Sequence, residues 1–168
     1  MNVVLVGFMG TGKTAAGRQL ARRLRRQFFD TDAWIVHQAA MPIPEIFERY
    51  GETAFRDLET EAARTVAESH DLVVSTGGGI LGRDENVEHL RRHGVLICLD
   101  ARPEVILQRT APWESRPILR GASDPRLLVE RLLAERAPRY ALADWRVDTS
   151  DLSPRQVAEQ ICEKLPSL

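Results

Sequence analysis

The run Val3-Val4-Leu5-Val6-Gly7-Phe8-Met9-Gly10-Thr11-Gly12-Lys13-Thr14 decides how the rest of this 168-residue chain is read. Four apolar residues ending in glycine suit a short strand buried on both faces. Gly7 to Thr14 match G-x-x-x-x-G-K-[ST], in which glycines let the chain fold back so that backbone N–H groups share one concavity suited to phosphate. In this pattern the lysine supplies a compact cation for the outer phosphates, and the threonine hydroxyl a ligand for Mg²⁺. The helix that follows adds its N-terminal partial positive charge. With 11 glycines and two lysines in the chain, a chance match is on the order of one in a thousand. Residues 13 to about 26 supply the helix, with Ala16, Leu20, Ala21 and Leu24 on one side and arginines between.

Outward from this loop, apolar runs alternate with amphipathic segments. Phe28-Phe29, Leu72–Ser75, Val95–Leu99 and Trp145–Val147 are expected as further strands. Helices are expected over 34–39, over 44–50 ending at Gly51, over 52–69, over 86–93, from Pro103, from Pro125 to about Arg139, and from Pro154. Asp124-Pro125 and the capping box Ser153-Pro154-Arg155-Gln156 mark two of the helix starts. Such alternation predicts one α/β domain over 1–168, a parallel sheet with helices on both faces. Residues 110–123, rich in proline, glycine and serine, are expected to form a mobile loop.

Composition narrows the function. Hydrophobic residues make up 43% of the chain, enough for a real core, and 23 basic against 24 acidic residues leave a net charge of −1. That balance offers no bulk field for nucleic acid or an anionic membrane. No apolar run approaches the roughly 20 residues of a membrane span. Met1–Gly7 lacks the basic n-region and cleavage site of a secretory leader. Cys98 and Cys162 are expected as small core residues in a reducing, cytosolic setting. The four histidines show no metal-ligand spacing. Among phosphate-loop proteins, GTPase switches need D-x-x-G and N-K-x-D; no glycine here follows an aspartate by three, and neither asparagine precedes a lysine. A small-molecule kinase or a nucleotide-binding module remains.

Asp30-Thr31-Asp32 follow the second strand and should reach the carboxyl edge of the sheet, where open α/β folds bind ligands. In an extended chain their carboxylates point the same way, so one could support Mg²⁺ and the other meet an acceptor hydroxyl. Alternatively Asp32 merely caps a helix starting at Trp34. Asp100, after the fourth strand, competes with Asp30 for the metal role, and spacing alone leaves both open.

Taken together, these stretches resemble the shikimate kinase family. The resemblance runs through Gly7–Thr14, Gly17, Leu20-Ala21, Phe29–Asp32, Ile46-Phe47, Gly51-Glu52, Phe55-Arg56 with Glu59, Thr76–Gly79, Arg109-Thr110, Arg116–Leu119, Glu135-Arg136 and Val147–Thr149. It implies a P-loop, nucleoside-monophosphate-kinase-like α/β/α fold with a five-stranded parallel sheet and a lid at about 110–123. It implies phosphorylation of the 3-hydroxyl of shikimate by ATP with Mg²⁺, in the pathway to chorismate and aromatic amino acids, by a monomer. By this resemblance Gly10, Thr11, Gly12, Lys13, Thr14 and Ala15 would hold the ATP phosphates, and Arg109 and Pro154 would flank the adenine. Thr14 and Asp30 would serve Mg²⁺, which favours Asp30 over Asp100. Asp32 would bind the shikimate hydroxyls as base or orienting group, assisted by Lys13 and by Arg116 from the lid. Arg56 and Arg136 would grip the carboxylate, with Glu59 and the Gly77-Gly78-Gly79 backbone beside them.

Arginine suits that task because its planar fork holds a carboxylate bidentately, as lysine cannot. Plainer roles exist for the same residues: Arg56 could pair with Glu52 or Glu59 on a solvated helix face, Thr76–Gly79 could be a simple loop, and Arg116 could merely be exposed. The chain departs from the family after Arg136. Arg139 stands where an apolar residue is usual, and Tyr140 is followed by Ala141-Leu142-Ala143 without the family's glutamate. A kinase for a gluconate-like polyol acid and a non-catalytic ATP-binding regulator are the alternatives.

Overall fold

Val3 and Leu5 turn to one side of the sheet and Val4 and Val6 to the other, the two-residue period of a strand buried on both faces. A computed structural model describes residues 1–111, 119 and 121–167. The strands β1 (Asn2–Val6), β2 (Gln27–Asp30), β3 (Leu72–Ser75), β4 (Gly94–Asp100) and β5 (Trp145–Asp148) form one parallel sheet in the order β2-β3-β1-β4-β5. On one face, α1 (Lys13–Leu24) and α7 (Pro154–Lys164) cover Val3, Leu5, Val73, Ile97 and Leu99. On the other, Val4, Val6, Val74, Leu96 and Cys98 pack beneath four helices: α3 (Ile43–Ala67), α4 (Asp84–Arg91), α5 (Pro103–Thr110) and α6 (Pro125–Tyr140). This is the three-layer α/β/α arrangement that the alternation predicts. Asn2 fastens its lower edge, donating to the Val66 and Ser69 carbonyls and accepting from the Leu72 amide at 3.0 Å.

Three boundaries differ from expectation. α2 (Thr31–Ala39) begins three residues before Trp34, and its cap is Asp30, not Asp32. The Asp30 carboxylate accepts from the Asp32 and Ala33 amides at 3.1 and 3.2 Å, an aspartate satisfying orphan donors at a helix start. The chain therefore turns helical at Thr31, so Asp30 and Asp32 do not sit two apart on an extended strand. α4 starts at Asp84 rather than Asn86. The expected helices 44–50 and 52–69 form a single element, α3, kinked at Gly51, whose φ of 82° and ψ of 176° break the helical path. Both sides of the kink pack with α2 in a satellite core of Ile35, Ile46, Phe55 and Ala62.

The caps at Asp124 and Ser153 form as read: Asp124 accepts from the Leu127 amide at 3.0 Å, and Ser153 and Gln156 exchange hydrogen bonds. Cys98 is buried in the core, where burial pushes its thiol up to about 12. Most of the expected 110–123 lid, Arg116 and Trp113 included, lies outside the described residues. Among the described residues no helix is long and apolar enough to cross a membrane.

Candidate active site

β1 is the centre of the sheet, with β3 on one side and β4 on the other, so the loop after it opens at the point where the strand order reverses. α1 departs from that loop with no side-chain cap, unlike α2, α6 and α7, and with no acidic residue in its first turn. Its N-terminal amides are thus left to an anion. Lys13 is buried, its ammonium donating to the Gly7 and Phe8 carbonyls at 2.8 and 2.7 Å. Burial lowers its pKa to about 8 despite the opposing pull of Asp32 and Asp30. A cleft of about 330 Å³ is lined by Gly10, Gly12, Lys13, Thr14, Ala15, Asp30, Asp32, Ser75 and Arg109, among others. Thr11 instead bonds within the loop, its hydroxyl donating to the Phe8 carbonyl at 2.8 Å.

Thr14 donates to Asp30 Oδ2 at 3.2 Å, and its hydroxyl lies 3.1 Å from that of Ser75. Two hydroxyls and a carboxylate are the hard oxygen donors that Mg²⁺ prefers, and a cation held this way would take its remaining ligands from water and phosphate. Ser75 was not among the sequence candidates, although a polar residue closing the apolar run Leu72-Val73-Val74 at the carboxyl edge was a usable signal. Asp100 lies elsewhere: Arg146 donates to it at 2.8 Å and the Cys98 thiol at 3.4 Å. Geometry thus brings Asp30, and not Asp100, to Thr14.

Asp32 enters the same cleft from the first turn of α2. Its Oδ1 is buried and makes no hydrogen bond among the described residues. Burial raises its pKa, and Asp30 raises it further, against the pull of Lys13 and Arg56. Glu59 is buried at 1% exposure and is likewise raised by burial, with Arg56 countering. Arg56 reaches both glutamates that helical spacing offers: Nη1 donates to Glu59 at 2.6 Å, while Nη2 and Nε donate to Glu52 at 3.1 and 3.3 Å. Glu59 being buried, this is no solvated helix face.

The triple glycine lets these groups close in. A Cβ at Gly77 would stand 2.7 Å from Asp32 Oδ1 and 3.1 Å from Glu59 Oε1, and one at Gly79 would stand 2.5 Å from Arg56 Nη1. Gly78 accepts at its carbonyl from Arg136 at 3.2 Å and from the Tyr140 hydroxyl at 2.7 Å. The Arg136 guanidinium also lies over the Phe8 ring at 5.3 Å. Arg56, Gly78, Gly79, Arg136, Arg139 and Tyr140 line a second cleft of about 250 Å³, which shares Gly78 with the first. Arg139, anomalous by sequence, sits on its rim, bonded to Asp84 and the Gly82 carbonyl at 2.6 and 2.7 Å.

A third cleft holds Arg109 and Pro154 with Thr11, Ala15, Thr149 and Leu152, and meets the first at Gly12, Ala15 and Arg109. Arg109 is held in its wall by the Thr149 hydroxyl at 3.0 Å and the Thr149 carbonyl at 2.7 Å. The three clefts therefore form one channel: an apolar pocket, a phosphate cradle, and a guanidinium-lined pocket with carboxylates where the last two meet. Arg116 lies outside the described residues.

Comparison with known proteins agrees with this arrangement. The shikimate kinase family model matches residues 9–166. A shikimate kinase of Thermodesulfovibrio yellowstonii is 41% identical over 99% of this chain and 96% of its own. One from Pelotomaculum thermopropionicum is 47% identical over 95% of this chain and 92% of its own. In three dimensions, the shikimate kinase of Acinetobacter baumannii, solved with shikimate, superposes with a TM-score of 0.93 at 36% identity, covering 99% of this chain and 93% of that one. With the family model matched over residues 9–166 and relatives above 40% identity covering almost the whole length, the chain belongs to the shikimate kinase family.

Proposed function

We propose that the channel binds ATP and shikimate end to end and transfers the γ-phosphoryl group to the shikimate 3-hydroxyl. The adenine lies between Arg109 and Pro154, the phosphates on the loop from Gly10 to Ala15, and the acceptor against Arg56, Arg136 and Gly77–Gly79. The observation that carries this reading is Asp32: a buried carboxyl oxygen with no hydrogen bond among the described residues, in the wall of the phosphate cradle that adjoins a guanidinium-lined pocket at Gly78. Shikimate has hydroxyls for the first and a carboxylate for the second.

Phosphoryl transfer asks for positioning and charge stabilisation rather than covalent help from the protein. Asp32 accepts the proton of the attacking hydroxyl, and its raised pKa makes it a better acceptor than an ordinary carboxylate. The hydroxyl oxygen bonds to the γ-phosphorus as the bond to the β–γ bridging oxygen breaks, and ADP leaves. Lys13 offsets charge on the transferring group, a role the resemblance also gives Arg116. Thr14 and Asp30, with Ser75 beside them, would hold Mg²⁺, which neutralises phosphate charge when bound. Arg56 and Arg136 orient the acceptor by its carboxylate, and Glu59 holds Arg56 in place.

Incubation with ATP, Mg²⁺ and shikimate should release ADP only when shikimate is present, read by a coupled ADP assay, and yield shikimate 3-phosphate. ADP release independent of shikimate, or equal turnover with gluconate, would refute the assignment.

Lys13 adds a pH dependence. Its folded pKa of about 8 lies below the ordinary 10.5, so between those values the native chain holds fewer protons than the unfolded one, and the unliganded fold gains stability as pH rises. Nucleotide prefers the charged lysine, so ATP affinity should fall above about pH 8, by up to about tenfold per unit, with proton uptake on binding. Calorimetric titration at pH 8.5–9 in two buffers of different ionisation enthalpy measures the uptake. Binding without it would show that Lys13 stays charged.

A further inference from the structure

Gly78 is the residue at which the phosphate cradle and the acceptor pocket meet. Its carbonyl takes two donors from the last two turns of α6, Tyr140 at 2.7 Å and Arg136 at 3.2 Å. Tyr140 is buried, 3% exposed, and burial pushes its phenol up to about 12, so it stays a neutral donor at any working pH. Arg136 is differently placed. Its guanidinium rests on the Phe8 ring and makes the longer of the two bonds. A bidentate grip on a carboxylate requires that fork to follow the anion rather than the loop. Were Arg136 the one donor to Gly78, each such movement would orphan a partly buried carbonyl, which is costly.

We propose that Tyr140 is a positioning residue for the acceptor: its hydroxyl holds the Gly78 carbonyl in place and so releases Arg136 to the acceptor carboxylate. The inference rests on the assignment of Arg136 to that carboxylate. Tyr140 touches no reacting atom; it acts through the loop and through Arg136, its neighbour one helical turn earlier.

The test uses Tyr140→Phe, Arg136→Ala and the double variant of the full chain, with KM for shikimate, KM for ATP, kcat and Tm measured for each. Tyr140→Phe should raise KM for shikimate roughly fivefold to tenfold, with kcat and KM for ATP within about twofold, as the donor left on Gly78 is then Arg136 alone. In the Arg136→Ala background the same change should add little to KM for shikimate, because the two residues act as one unit. An unchanged KM for shikimate in Tyr140→Phe, the same factor in both backgrounds, or a fall in Tm accompanied by equal rises in both KM values would overturn the proposal. Arg136→Ala with an unchanged KM for shikimate would instead remove the underlying assignment, so the two failures are distinguishable.

Discussion

Asp32→Asn should lower kcat by about 10²–10⁴-fold, the contribution of a positioned general base, while ATP affinity stays within about twofold. Asparagine keeps the shape of the side chain and can still accept from an acceptor hydroxyl, but it cannot take the proton. The carboxyl stands beside Lys13 and against Gly77, where a larger residue would not fit. Burial and Asp30 disfavour its charge, so removing that charge should leave the fold as stable or slightly more so. The same perturbation sets a pH signature. The acid limb of kcat in the unaltered chain should lie above the ordinary carboxylate range and be missing in Asp32→Asn. Normal turnover in this variant would place the proton acceptor elsewhere.

Arg56→Ala is expected to act on both binding and stability. KM for shikimate should rise by the equivalent of about 2–5 kcal/mol, the usual cost of truncating one partner of a buried charge pair, with KM for ATP nearly unchanged. The second effect comes from Glu59, 1% exposed and bonded to Arg56 at 2.6 Å. Without the guanidinium a buried carboxylate loses its counter-charge, which costs about 3–5 kcal/mol in comparable buried pairs. The sign with pH follows from Glu59 itself. Its pKa is already raised by burial, and Arg56 is the first of the influences that lower it. Loss of Arg56 moves it higher, so the native variant binds a proton that the unfolded chain has given up, and its stability falls as pH rises through that window. Chemical denaturation at pH 5 and pH 8 should show the larger deficit at pH 8. An equal deficit at both, with shikimate binding intact, would mean that the pair is neither buried in effect nor part of the acceptor wall.

Much of this was readable along the chain, because it is written in short-range patterns. The strand-loop-helix at Val3–Leu24 needs only apolar period, three glycines and one lysine, all within about 20 residues. The caps at Asp124 and Ser153 are likewise local, since a side chain meets an amide two or three residues on. Arginine fills 21 of the 23 basic positions, and the lysine at position 13 stands where a compact charge must bend back onto its own loop.

Other features were decided by the tertiary structure. The choice of Asp30 over Asp100 depends on strand order. β2 pairs with β3, setting Asp30 opposite Ser75, and Ser75 lies beside Leu5 of β1, from which the phosphate loop springs. Asp100 pairs across to Asp148 on the other side of the sheet and is taken by Arg146. Ser75 is 61 residues from Thr14, and Tyr140 is 62 from Gly78. Parallel strands are joined by long crossovers, so residues that share the carboxyl edge are distant in sequence, and no local period records which strand lies beside which. The amino-acid order thus determined the phosphate cradle and both packed faces of the sheet. Which carboxylate meets Thr14, and which side chains hold Gly78, followed from parallel register, because that register alone brings those distant atoms within hydrogen-bond reach.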